Sequence, residues 1–198
     1  MVEASTSCTV SIKSDSEFTE ILKKIKEETD TFMDFPIAGV NFYDFFSLLY
    51  KPEIRHVALE ACIYGVEKHK TGEFNAVAGL DSRGFIVGLV LAEHFKIPFI
   101  PIRKKGKLPG ICVEEKFTKE YGEDVFQIQK HAVDSNSHIL IADDLLATGG
   151  SMKACEALIE KCGGKVVNSF VIYNLKFLNG RDKLKYPDKL ITLLDLDE

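Results

Sequence analysis

The chain has 198 residues, 45% hydrophobic and 28% charged, with a formal net charge of −5; this is the composition of one globular domain with a real core, and its acidity argues against nucleic acid as a partner. Five scattered cysteines without a CxxC pair argue against a disulfide framework or zinc site and for a reducing, cytoplasmic setting. No apolar run is long enough to span a bilayer, and the N-terminus lacks the apolar stretch of a signal peptide, so no membrane partner is expected.

Residues 1–11 read as a loose arm. Ser14 followed three residues later by Glu17 fits a capping box, and Phe18, Ile21, Leu22, Ile25 and Phe32 then recur at helical spacing. Pro36 and Gly39 end that helix. The stretch from Asp34 to Asp44 crowds three aromatics into a loop and short strand, which suits either core packing or stacking on a planar ring. Pro52 opens a helix running to about His69. His56 and His69 have no metal-ligand partner at i+4 and read as surface residues.

An apolar strand from Phe74 to Leu80 leads into Asp81-Ser82-Arg83-Gly84 and a helix carrying Phe85, Gly88, Leu89, Ala92 and Phe95. Ligands of open α/β sheets bind at such strand ends. Arg83 can hold phosphate oxygens, and Asp81 or Ser82 can cap the helix. The next strand, Pro98 to Ile102, contains prolines that imply irregular pairing. It delivers Arg103, Lys104, Lys105 and Lys107 onto a glycine-containing loop, an anion-binding cluster in an acidic chain. Residues 114–122 are polar and mixed in charge, and residues 125–129 alternate weakly; together they read as an exposed hairpin lid.

The chain is organised around Ile139 to Ser151. An apolar strand ends in Asp143 and Asp144, a turn of small residues follows, and Met152, Cys155, Leu158, Ile159 and Cys162 mark a helix. Gly163-Gly164 stops it, and residues 165–172 form another strand, completing a βαβ unit. Thr148, Gly149, Gly150 and Ser151 thus stand at a helix N-terminus, where free N–H groups and the dipole favour an anion. Two bare carboxylates about 4 Å apart repel by roughly 4 kcal/mol at an effective dielectric of 20. Vicinal sugar hydroxyls donating to both relieve this, so a ribose 5-phosphate fits: phosphate on the turn, hydroxyls on the acids. Both acids serve one sugar only if the strand has ended by Asp143, because adjacent strand residues face opposite ways. No lysine separates the glycines from Ser151, which excludes a Walker A loop. Asn179-Gly180 marks a turn, Arg181 to Leu184 a short helix, and residues 190–194 a final strand.

The run Asp143-Asp144-Leu145-Leu146-Ala147-Thr148-Gly149-Gly150-Ser151 resembles the 5-phosphoribosyl-1-pyrophosphate (PRPP) motif of the type I phosphoribosyltransferases, in the form carried by the adenine-using members. Gly79-Leu80-Asp81-Ser82-Arg83-Gly84-Phe85 matches their pyrophosphate loop, and Ile102-Arg103-Lys104 with Gly106-Lys107-Leu108-Pro109 matches the run leading into their mobile loop. The resemblance spans residues 35–194. It implies a single domain over 1–198: an N-terminal helix and hood (1–50), and a core (51–198) with a flexible lid at about 104–123. The fold it implies is α/β, a mainly parallel twisted sheet flanked by helices.

What the resemblance implies for the site is specific. Asp143 and Asp144 bind the ribose; Ala147, Thr148, Gly149, Gly150 and Ser151 bind the 5-phosphate; Asp81, Ser82, Arg83, Gly84, Arg103, Lys104 and Lys107 bind pyrophosphate. Val40, Asn41, Phe42, Tyr43 and Leu175 face the base, although Asn41, Tyr43 and Asn174 stand where the family has an apolar residue, Arg and Glu. Glu120, Arg83 and Lys104 are the catalytic candidates, Glu120 handling a proton on the purine, and Tyr121 belongs to the lid. The implied reaction turns PRPP and adenine into AMP and pyrophosphate, with Mg²⁺ held through PRPP and water rather than by direct protein ligands. A homodimer is implied. The alternatives are a paralogue with another base preference and a non-catalytic PRPP or nucleotide sensor on the same fold.

Overall fold

The computed structural model describes residues 12–35, 38–118 and 123–197. α1 (Asp15–Glu28) starts as expected, with the Ser14 hydroxyl accepting the Glu17 N–H at 3.2 Å. The return bond of the box is displaced by one residue: Glu17 accepts from the Lys13 N–H rather than that of Ser14. Phe18 and Ile25 are buried. The helix stops before Phe32, contrary to the periodicity. The β-branched Thr29 and Thr31 favour extended backbone, and β1 (Asp30–Met33) pairs antiparallel with β2 (Asn41–Asp44) as a hairpin. Phe32 is accordingly 51% exposed.

The short α2 (Phe45–Leu49) is capped by Asp44, whose carboxylate accepts the Phe46 N–H, and α3 (Pro52–His69) has the bounds its proline and periodicity predict. β3 (Ala76–Leu80), α4 (Gly84–Phe95) and β4 (Phe99–Lys104) form one parallel unit. The buried stripe of α4 is Val87, Gly88, Leu91 and Ala92, so Leu89 turns outward at 58% exposure. A Cβ at Gly79 or Gly88 would meet the Phe99 ring, and these two glycines therefore seat the helix on the sheet. Neither Asp81 nor Ser82 caps α4; Arg83 holds the cap position without a side-chain bond.

β5 (Cys112–Thr118) and β6 (Glu123–Gln129) form the antiparallel edge hairpin anticipated as the lid. β6 pairs with the end of β4 at Arg103 and Lys104, with the Lys105 N–H donating to the Val125 carbonyl just beyond, so among the described residues Pro101 faces no partner strand on that side. The hairpin is more anchored than its polar sequence implies: Phe117 is buried against Phe126, with ring centroids 4.6 Å apart.

β7 (His138–Ala142), the two-residue β8 (Leu145–Leu146), α5 (Gly150–Lys161), β9 (Lys165–Leu175) and β10 (Leu190–Leu196) complete the chain. The strand order is β10-β9-β7-β3-β4-β6-β5, with β8 pairing β9 off this path. Residues of β7 alternate between two apolar clusters, Leu140 and Ala142 on one face and Ile139 and Ile141 on the other. The sheet is therefore buried on both faces, as parallel strands require. β9 runs three residues beyond the expected end, because Tyr173 and Leu175 are wholly buried and Asn174 nearly so.

Candidate active site

β3 leads through α4 to β4 on one side, whereas β7 leads through α5 to β9 on the other. The two crossovers leave the centre of the sheet in opposite directions, which opens a crevice at the C-terminal ends of β3 and β7. A cavity of about 370 Å³ fills it, lined by Asp81, Ser82 and Arg83 from the first crossover and by residues 143–152 from the second. Gly84 makes the close approach possible: a Cβ there would meet the Ala142 carbonyl oxygen at 2.5 Å.

β7 ends at Ala142, so both acids lie beyond the strand and are free of its alternation. The Asp143 carboxylate accepts the Asp144 N–H at 2.9 Å, while the Asp144 carbonyl accepts the N–H groups of Ile172 and Tyr173. The Asp144 side chain is 3% exposed, and Arg83 Nε lies 2.6 Å from its Oδ2. This is ion pairing without hydrogen-bond alignment, since Oδ2 makes no hydrogen bond among the described residues. Burial raises the pKa of both acids. Asp143 is pushed well up by burial and then by the charge of Asp144; for Asp144, burial is opposed by Arg83. The pair is thus held away from water and short of donors, and part of Asp143 opens to the cavity.

Gly149 adopts φ +80° at the N-cap of α5, a left-handed conformation that a side chain resists. The 147–151 turn places Thr148, Gly150 and Ser151 half-exposed around the first turn of the helix. Met152 and Cys155 are buried below and fix the helix to the sheet.

The cationic loop stands beside this cavity rather than lining it. Arg103 Nε donates to Asp81 Oδ2 at 2.9 Å, Lys104 Nζ is 3.5 Å from Asp124 Oδ2, and Lys107 is exposed. From the hood, Phe42 reaches the site: the Arg83 guanidinium carbon lies 5.1 Å from its ring centroid. Strand alternation sends the side chains of Asn41 and Tyr43 to the other face of β2. There they line a separate hollow with Lys26, Met33 and Asp197, and Tyr43 is 6% exposed, 5.7 Å from the Tyr173 ring. Leu175 is buried in the same apolar cluster, and Val40 is half-buried. The side chains of Asn41 and Tyr43 thus point away from the crevice, and Phe42 is the hood side chain that lies against Arg83. Glu120 and Tyr121 lie outside the described residues.

The sequence pattern of the Phosphoribosyl transferase domain family matches residues 53–196. The chain belongs to the phosphoribosyltransferase family. The adenine phosphoribosyltransferase of Caenorhabditis elegans is 43% identical over 183 residues, covering 91% of this chain and 96% of that one. The crystal structure of the Rhodothermus marinus adenine phosphoribosyltransferase superposes with a TM-score of 0.81 at 37% identity, covering 90% of this chain and 99% of the other. The Saccharomyces cerevisiae enzyme, complexed with an imino-altritol bisphosphate and adenine, gives 0.82 at 35% identity over 89% and 99%.

In this phosphoribosyltransferase, sequence reasoning passed over Leu145, Leu146 and Met152, which line the cavity, and Gly180, which backs its turn. Met152 reads as part of the helix stripe, and Leu145 and Leu146 only as part of the motif run. Asn179-Gly180 reads only as a turn, and no local signal says that the turn folds onto residues 147–149.

Proposed function

We propose that this chain transfers the 5-phosphoribosyl group of PRPP to adenine, releasing AMP and pyrophosphate. One observation carries the reading: the acid pair and the glycine-capped helix end converge on one cavity at the sheet's switch point. The adenine phosphoribosyltransferases among its relatives supply the base.

The N–H groups of residues 148–151 and the hydroxyls of Thr148 and Ser151 hold the 5-phosphate, with each charge-assisted bond contributing about 1.5–3 kcal/mol. That binding energy, remote from the reacting carbon, fixes the carbon's position. Asp143 and Asp144 accept hydrogen bonds from the 2- and 3-hydroxyls, which supply the donors their burial denies them. They also sit beside the positive charge that develops on the sugar as pyrophosphate departs. Arg83, held between Asp144 and Phe42, and Asp81 to Gly84 face the pyrophosphate. The bond from the anomeric carbon to pyrophosphate breaks, the bond to a purine ring nitrogen forms, and that nitrogen loses its proton toward Glu120. Arg103, Lys104 and Lys107 close over the leaving group with the hairpin, which excludes water.

The Mg²⁺ of this proposal would be held mainly through PRPP and water rather than by direct protein ligands. There it would supply neutralisation of the pyrophosphate charge. A homodimer in the cytoplasm completes the proposal. The exposed hood residues Phe32, Met33, Phe35 and Tyr50 support self-association, and the scattered cysteines support a reducing compartment.

Incubation with PRPP, Mg²⁺ and adenine, hypoxanthine or guanine tests the reading. AMP from adenine, and little nucleotide from the others, is expected. Nucleotide from none would favour a sensor.

A further inference from the structure

The stretch from Asn179 to Tyr186 touches the turn before α5 at one end and α5 itself at the other. At its start, Gly180 lies so close to the phosphate turn that a Cβ on it would run into the Ala147 carbonyl oxygen, and a Cβ on Gly149 would run into the Gly180 carbonyl. Asn179, at φ +51°, makes the bend that delivers Gly180 there. At its end, the stretch is tied down along α5. Glu156, fully buried on that helix, accepts the Lys185 N–H at 2.8 Å. One turn on, Glu160 accepts from Lys185 Nζ and from the Tyr186 hydroxyl. Between these points Leu184 packs in the apolar cluster that holds Met152 and Cys155.

A buried carboxylate is costly. Here the second oxygen of Glu156 makes no hydrogen bond among the described residues, so the residue is not the cheapest way to fill that space. An acceptor for one backbone N–H is what it contributes. The turn that the stretch presses on has no side-chain cap of its own, because Gly149 is the N-cap. β8 anchors the chain up to Leu146 through its pairing with β9, and beyond it the Gly180 backbone packs directly on residues 147–149 from outside α5.

We propose that residues 179–186 form a brace that positions the 5-phosphate turn, with Gly180 as the bearing point and Glu156 as its fastening. This rests on the phosphoribosyl-transfer reading of the same cavity. Both are positioning residues; neither touches substrate.

The test is a split in Michaelis constants. Gly180→Ala forces the turn off its seat, and a displacement of that size raises the KM for PRPP roughly 10- to 100-fold, while the KM for adenine stays within about twofold. Glu156→Ala frees the far end and shifts the PRPP constant the same way. Glu156→Gln keeps an oxygen for the Lys185 N–H and restores it to near wild type. If Gly180→Ala does not fold, the comparison of Glu156→Ala with Glu156→Gln decides alone. Equal KM values for PRPP in Glu156→Ala and wild type, or parallel rises for PRPP and adenine, would overturn the brace. Calorimetric binding of ribose 5-phosphate to the same proteins keeps the two readings apart. A wild type that makes no AMP but loses ribose 5-phosphate binding through Gly180→Ala would refute the transfer reaction and keep the brace.

Discussion

Arg83 of one crossover and Asp144 of the other meet across the crevice, Nε to Oδ2 at 2.6 Å, with the carboxylate 3% exposed and the arginine 30%. The pair joins the two halves of the proposed site in a single electrostatic contact. Arg83 opposes the burial that otherwise raises the Asp144 pKa.

Removing the arginine leaves that carboxylate uncompensated. Arg83→Ala is expected to lose about 1–2 kcal/mol of stability at pH 7, the low end for a charged contact because Arg83 keeps water access. The ion pair exists only while Asp144 is ionised. The loss therefore fades as pH falls through the raised titration of Asp144, and denaturant melts at pH 7 and pH 4 read the difference.

Asp143 makes the opposite prediction. Its folded pKa is raised, first by burial and then by Asp144. The unfolded carboxyl titrates at about 3.9, and below that both states are protonated and the group does not affect stability. As pH rises, the unfolded chain ionises first, and the folded state loses stability until pH passes the raised folded value. Asp143→Asn keeps an oxygen for the Asp144 N–H and removes this penalty. The variant should be more stable than wild type at pH 7, by about 1.4 kcal/mol for every pH unit separating the two titrations, and equal to it at pH 3. Its turnover with PRPP should drop by about 100-fold or more.

The hood separates packing from recognition. Tyr43→Ala should cost about 3–5 kcal/mol, as for other large aromatic truncations in a core. Asn41→Ala should leave the adenine KM unchanged. Phe42→Ala should raise the KM for adenine or PRPP, because Phe42 alone of the three lies against Arg83. Thermal melts paired with steady-state kinetics check all three.

Much of this architecture was legible from periodicity and punctuation. Pro52 and the residues after it mark α3, and the stripe from Met152 to Cys162 marks α5. The two acids mark where β7 ends, since neither could sit in a strand buried on both faces. What was not legible depends on distant partners. Phe32 fits a helical repeat, yet its backbone is claimed by pairing with Phe42. Leu89 belongs to a helix whose residues from Gly84 to Ala92 are all apolar, so only the sheet decides its inward face. Tyr43 replaces a charged residue of the family, which draws attention to specificity, but the pleat turns it into the core. Gly180 gains its place from a contact more than 30 positions away in sequence.

The central claim is where the sugar phosphate lies, and a crystal of this chain soaked with ribose 5-phosphate or PRPP measures it directly. The account predicts the 5-phosphate on the backbone of residues 148–151 and the 2- and 3-hydroxyls on Asp143 and Asp144. A phosphate bound elsewhere with this cavity empty, or one seated with the two carboxylates contacting nothing on the sugar, would contradict it.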